Sequence, residues 1–203
     1  MKNLVLIFLS LCSLAFFSGR GLAATISLTP TTQDMSIGST ASVDLNISGL
    51  GNFTDPSLGA FFTEITFDDS ILSFDSVTYG SFLGDTDPSS FETDIVTIVG
   101  PGFVSLDEFS FLFDFELDAL QPDNFTLATL SFTATTTGSS LLEFGAMDLS
   151  DAIGLSILDP TLETAGITVK SVPPVTVPEP GILMLFLSGV LVLSAFKMEM
   201  RSS

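Results

Sequence analysis

The sequence predicts an all-β protein: a two-sheet antiparallel β-sandwich over residues 24–170, with an N-terminal signal peptide and one C-terminal transmembrane helix. Three observations lead there. Apolar and polar residues alternate with a period of two along the middle of the chain; Thr, Ser, Val, Ile and Phe dominate it; Gly and Pro punctuate it every ten to twenty residues. Nothing between the two ends carries a helical period.

Residues 1–23 read as a secretory signal peptide. Lys2 is the basic start, 4–17 is an apolar run, and small residues follow. Cleavage after Ala23 puts Gly21 and Ala23 at the small-residue positions, and the apolar run is too short for a retained anchor. Cys12, the only cysteine, lies inside this segment behind Leu11, which is too large for a lipoprotein signal. The exported part therefore has no disulfide, and its core alone must hold it together.

Strands are expected at 25–30, 41–47, 61–67, 72–79, 94–99, 109–117, 126–134, 141–144, 155–158 and 166–170. In the second, Ala41, Val43, Leu45 and Ile47 alternate with Ser42, Asp44, Asn46 and Ser48. In the sixth, Phe109, Phe111, Phe113, Phe115 and Leu117 alternate with Ser110, Leu112, Asp114, Glu116 and Asp118. Side chains two apart share a face, so those phenylalanines are expected to line a core while the carboxylates face water. With 20 Phe and no Trp, the core is expected to be built from Phe, Leu, Ile and Val. Short strands with turn signals between them argue for a sandwich.

Residues 171–180, rich in proline, form an extended, semi-rigid spacer. The apolar run 181–196 follows. At about 1.5 Å per residue it spans about 24 Å, enough as a helix to cross a thin membrane whose core is about 30 Å or less. Lys197 and Arg201 lie in the tail 197–203 and set the topology: tail in the cytoplasm, sandwich outside.

The formal net charge is −19, and Lys170 is the only basic residue in 24–180. Such a surface repels phosphate backbones, which excludes nucleic acid as a partner. Histidine is absent altogether. That removes Ser-His-Asp and Cys-His catalysis, zinc-peptidase sites and imidazole bases. No glycine-rich phosphate loop with its lysine is present. A glycosidase could work with two carboxylates, but no pair stands out among so many. The chain is expected not to be an enzyme. No cofactor is expected either; calcium is left open, with Asp85 and Asp87 as candidate ligands in a Gly- and Pro-flanked loop. Asp68-Asp69 and Asp148 with Asp151 offer further oxygens, without the spacing of a defined calcium loop. Solvated turn carboxylates are the favoured explanation of all three sets. Asn-x-Ser/Thr sequons begin at Asn46, Asn52 and Asn124, and Asn46 falls within a strand.

The C-terminus resembles the PEP-CTERM sorting signal of Gram-negative bacteria. The match is Val177-Pro178-Glu179-Pro180, the short membrane segment and the basic end. The resemblance implies export, retention by the tail, and processing by an exosortase-type membrane enzyme. It also implies association with exopolysaccharide and biofilm matrix. The chain departs from the family in that Lys197 and Arg201 are separated, with Glu199 between them, where arginines usually cluster. A plain anchor behind an accidental proline motif is the alternative.

The exported domain resembles the cohesin-like or carbohydrate-binding-type sandwich, a jelly roll. The likeness is carried by 37–47, by 65–77 with its Asp68-Asp69-Ser70 turn, by 80–84 and by 130–134 near Gly138. Asp68-Asp69-Ser70 suits a turn because its side chains can satisfy nearby backbone amides. The implied function is an exported, non-catalytic cell-surface or matrix protein that displays its sandwich for protein or matrix interaction. Two alternatives stand beside it: a carbohydrate-binding module for exopolysaccharide, and dockerin-type protein pairing.

Overall fold

The computed structural model describes residues 24–157 and 159–171. Eleven strands and one short helix follow in order: β1 Thr25–Pro30, β2 Asp34–Ser36, β3 Thr40–Ser48, β4 Leu58–Thr66, β5 Leu72–Tyr79, β6 Thr93–Gly100, β7 Phe103–Ser110, α1 Asp114–Leu120, β8 Asn124–Ala134, β9 Gly138–Asp151, β10 Thr161–Glu163 and β11 Ala165–Lys170. One sheet runs β10-β1-β3-β8-β5 and the other β2-β11-β9-β4-β7-β6. The main ladders are antiparallel, as expected; only the three-residue edge strands β10 and β2 pair in parallel.

The core lies between the sheets and follows the period-two pattern. Ala41, Val43, Leu45 and Ile47 of β3 are all buried, opposite Phe132, Leu130, Ala128 and Phe125 of β8. From the other sheet come Phe61 and Ile65 of β4, Val104 and Leu106 of β7, Leu142 and Leu149 of β9, and Ile167 and Val169 of β11. Phe132 takes Phe67 and Phe74 edge-on, with ring centroids 5.1 and 5.7 Å away; this is the preferred aromatic geometry.

Two glycines are fixed by geometry. Gly102 sits at φ 71° in the tight Pro101-Gly102 link between β6 and β7, a left-handed position that L side chains resist. Gly59 lies at the register shift between Leu58 and Ala60, where an added Cβ would stand 2.5 Å from the Asp151 carbonyl. The Asp68-Asp69-Ser70 turn closes as expected: Asp68 Oδ1 accepts from the Ser70 amide at 3.0 Å and from its hydroxyl at 2.5 Å.

Two expectations fail. The strand expected at 109–117 does not exist as such. β7 ends at Ser110, and a helix, α1, occupies 114–120. Val104 and Leu106 set the inward phase of β7 against Ile65 and Thr63 of β4, so Glu108 points in and Phe109 points out. The carboxylates beyond then serve a helix start. Glu116 accepts from the Phe113 amide at 2.9 Å, and Asp114 from the Phe115 amide at 2.8 Å, satisfying donors that a first helical turn leaves unpaired. Phe109, Phe111, Phe113 and Phe115 are thus exposed, and Leu117 alone of that series is buried.

The strand expected at 155–158 is a single bridge, Ser150 to Ser156. Asp151 Oδ1 takes the amides of Ile153 and Leu155, curling the chain into a tight turn instead. Leu158 lies outside the described residues.

Candidate interaction face

The outer faces of the two sheets differ in kind. On the five-stranded sheet the outward positions are Ser, Thr, Asn and Asp, and they bond one another. Thr126 donates to Asn46 at 2.7 Å, Thr129 to Asp44 at 2.7 Å and Thr133 to Asp75 at 2.7 Å, while Asn46 donates to Thr29 at 3.3 Å. Part of this face's hydrogen-bonding capacity is thus spent on itself. Asn46 is engaged through both side-chain ends there.

The six-stranded sheet presents a different surface. Ladder parity turns Ala60, Phe62 and Glu64 of β4 outward with Ser105, Asp107 and Phe109 of β7, and Asp94, Val96 and Ile98 of β6. Asp148 of β9 joins them. Val96, Ile98 and Phe109 are each about half exposed, and Leu141 of β9 likewise. Scattered apolar residues are normal on a protein surface, whereas a contiguous strip is a signal of binding.

Phe62 sits at the centre of this face. It is paired with Asp107 on one side and Asp148 on the other. The two carboxylates therefore stand two strand spacings apart, about 10 Å, with a ring between them. Ala60, Phe61, Phe62, Asp107, Asp148 and Ser150 line a shallow hollow of about 210 Å³ at this point. Desolvation, with the Asp94 charge beside it, raises the Asp107 carboxyl above its ordinary range. A positive charge placed there would favour the ionised form against both the desolvation and the Asp94 charge that raise it. Chemically, the arrangement suits a cationic side chain whose stem lies on the ring and whose head lies between the carboxylates.

Glu108 lies beneath the face, pointing the other way. It is fully buried opposite Phe61, and neither carboxyl oxygen has a hydrogen-bond partner. Burial pushes its carboxyl up to about 8, so at neutral pH it is held mostly as the acid. Thr63 Oγ1, on β4, is likewise buried and unpaired. Tyr79 crosses the same interior, its hydroxyl donating to the Val96 carbonyl at 3.0 Å.

The candidate calcium ligands fall elsewhere, in the loop between β5 and β6. Asp87 Oδ1 accepts from the amide and hydroxyl of Ser89 at 2.8 and 2.7 Å, which lowers its carboxyl below the ordinary range. Asp85 Oδ1 accepts from the Asp87 amide at 3.0 Å. Both carboxylates are turned onto their own loop. Asp148 and Asp151 do not converge either, since one lies on the sheet face and the other closes the 151–155 turn. Among the described residues, no three acidic, histidine or cysteine side chains come together as a metal cluster would require.

Ala23, Val177, Pro178, Glu179, Pro180, Lys197 and Arg201 lie outside the described residues, as does the apolar run 181–196. Among those described, no helix is long and apolar enough to cross a membrane.

Sequence reasoning did not single out Phe62, Asp107 or Glu108. Their signal is the inward phase set by Val104 and Leu106, which places Asp107 outward and Glu108 inward by counting.

No family model matches the sequence, and no curated protein matches it. Solved structures do match in fold. A type II cohesin domain from the cellulosome of Acetivibrio cellulolyticus is 16% identical, over 71% of this chain and 95% of that one, with a TM-score of 0.59. A type I cohesin–dockerin complex from Clostridium thermocellum matches at 16% identity, over 73% and 94%, with a TM-score of 0.57. A non-cellulosomal cohesin from the archaeon Archaeoglobus fulgidus matches at 14% identity, over 73% and 91%, with a TM-score of 0.56. The domain is a cohesin-like β-sandwich.

Proposed function

We propose that this chain is an exported, non-catalytic protein of the cell surface or extracellular matrix. Its sandwich binds a protein partner on the outer face of the six-stranded sheet. The carrying observation is the contrast between the two outer faces: one bonds several of its polar side chains to one another, while the other sets half-exposed Val96, Ile98 and Phe109 on one face with Phe62, Asp107 and Asp148. The matching partner surface is apolar and carries Lys or Arg. Dockerin-type pairing is the specific form that the Clostridium thermocellum complex suggests.

The test compares retention of exported proteins from the same cell by three chains: wild type, Phe62→Ser with Asp107→Lys, and Thr129→Lys on the opposite face. Binding kept by the first and third and lost by the second supports the reading. Equal loss in both variants, or in neither, overturns it.

A carbohydrate-binding role is favoured by a different observation. Phe113 and Phe115 are stacked at 5.8 Å and both mostly exposed, giving planar rings of the kind sugars lie against. A glycan array on wild type and Phe113→Ser decides it: signal that vanishes in the variant supports this role, and a blank array, with or without calcium, removes it.

Delivery by a cleaved signal ending at Ala23 and by the PEP-CTERM tail, recognised by an exosortase-type enzyme, completes the proposal. A reporter fused before residue 171 reads it. Changing Pro178 and Pro180 to Ala alters size or location if the tail is a sorting signal, and leaves both unchanged if it is a plain anchor.

A further inference from the structure

Glu108 is a buried acid one strand in from the edge of its sheet. Its side chain is fully buried, and neither carboxyl oxygen makes a hydrogen bond. An interior tolerates such a group as the neutral acid; as a carboxylate it needs a cation, donors or water. Its neighbours supply no cation. β4 turns Phe61 and Thr63 inward beside it and Glu64 outward, and Thr63 Oγ1 bonds to nothing. β6 turns Thr93, Ile95 and Thr97 inward and Asp94 outward. On β7 itself, Asp107 points to the outer face, and Ser110 gives its hydroxyl to the Leu83 carbonyl. From β5 comes Tyr79, whose hydroxyl is committed to the Val96 carbonyl and lies 2.9 Å from Thr97 Oγ1. Burial raises that hydroxyl above its ordinary range, and the Glu108 and Asp107 charges add to the rise, so Tyr79 stays neutral. Among the described residues the only cation is Lys170, on β11, which pairs with Asp34 at 2.8 Å.

Water is what remains for an ionised Glu108, and β6 stands in its way. Ile95 faces Glu108 directly across the ladder. β6 is the outermost strand, and within its sheet it pairs with β7 alone. None of its eight residues is buried, and Val96, Ile98 and Val99 are 47%, 57% and 55% exposed. Lifting it therefore uncovers little apolar surface, which is the mark of a segment that opens before the rest of a fold.

We propose that Glu108 is a proton-operated latch: with its proton in place β6 stays closed over it, and loss of the proton lifts β6 from β7 so that water reaches the carboxylate. In the closed form burial pushes the carboxyl up to about 8, whereas in the open form it returns to its ordinary 4.5. The closed strand is favoured in full below pH 4.5, and that preference drains away as pH rises towards 8. Each pH unit in that window raises the open population about tenfold, to about 3,000-fold in all. Val96 and Ile98 ride on β6, so the latch also governs the outer face. That consequence rests on the proposed reading of the face, whereas the latch itself is measured without any partner.

The test is hydrogen exchange with mass spectrometry on the full chain in detergent, each rate compared with the intrinsic rate at the same pH. Amides bonded between β6 and β7 should be at least about tenfold less protected than those of the central strand β3. Their protection should fall about fiftyfold from pH 6 to pH 8 in wild type. It should stay level in Glu108→Gln, which keeps the shape and does not ionise; Glu108→Met serves if that variant fails to fold. Asp107, raised by desolvation and by the Asp94 charge, is intact in both variants. Asp107→Asn, with Glu108 in place, must therefore keep the fall, and this decides the matter if neither neutral variant folds. A level wild-type profile, an equal fall in a folded Glu108 variant, a fall lost in Asp107→Asn, or β6 protection equal to that of β3 overturns the proposal.

Discussion

Glu108 makes the stability of this protein depend on pH in an unusual direction. Its carboxyl is raised by burial from 4.5 to about 8 in the folded chain. Below pH 4.5 both folded and unfolded states hold the proton, and the group costs nothing through ionisation. As pH rises, the unfolded chain releases its proton first, and stability is lost until the folded carboxyl ionises as well. The loss is about 3 kcal/mol at pH 7 and levels off at about 5 kcal/mol above pH 9. Domains of this size are stable by only about 5–15 kcal/mol, so the effect is large. Glu108→Met keeps the volume and removes the ionisation. Urea unfolding followed by circular dichroism at several pH values is the assay. Wild type and variant should converge near pH 4 and separate progressively towards pH 9, the variant being the more stable. Parallel curves across that range would show that the carboxyl is not held as the buried acid, and the placement of Glu108 in the core would fall with it.

Other residues give sharper local tests. Gln121 bridges three backbone groups, accepting from the Leu58 amide at 2.7 Å and donating to the Leu58 and Phe82 carbonyls at 2.8 and 3.0 Å. Gln121→Leu strands all three, and denaturation should show a loss of about 3 kcal/mol, since each unpaired buried group costs about 1–3 kcal/mol. Phe132→Ala, in the centre of the core, should cost about 3–5 kcal/mol, while Phe115→Ser, on the exposed side of α1, should stay within about 0.5 kcal/mol. The reverse order would restore the core strand that the sequence pattern suggests for 109–117. Gly59→Ala forces a Cβ against the Asp151 carbonyl and should lower the melting temperature by several degrees, read by calorimetry.

The sandwich was legible in the sequence wherever a strand has one buried face. β1 and β5 fall on the expected bounds, and β3 exceeds them by one residue at each end. The reason is physical: in those strands alternation and burial are the same fact. The reading fails where apolar residues are not in the core. The Phe-x-Phe-x-Phe series carries the strongest alternation in the chain, yet most of it is solvent-facing, because phase is set by the pairing of Val104 and Leu106 with β4 rather than by local hydrophobicity. The helix α1 was invisible for a related reason: seven residues are too few to show a period, and the carboxylates that start it look equally at home on a wet strand face. The interaction face was hidden more deeply. It is assembled from β4, β9 and the β6–β7 hairpin, which lie far apart in sequence, and no single stretch contains Phe62, Asp107 and Asp148 together.

The hydroxyl lattice on the five-stranded sheet also limits valency. With its donors and acceptors already engaged among Asp44, Asn46, Thr126 and Thr129, that side offers a partner little reason to displace water. A domain adhesive on one side only ends a chain of contacts and does not propagate it. On the proposed reading such a molecule decorates what it binds and does not cross-link it.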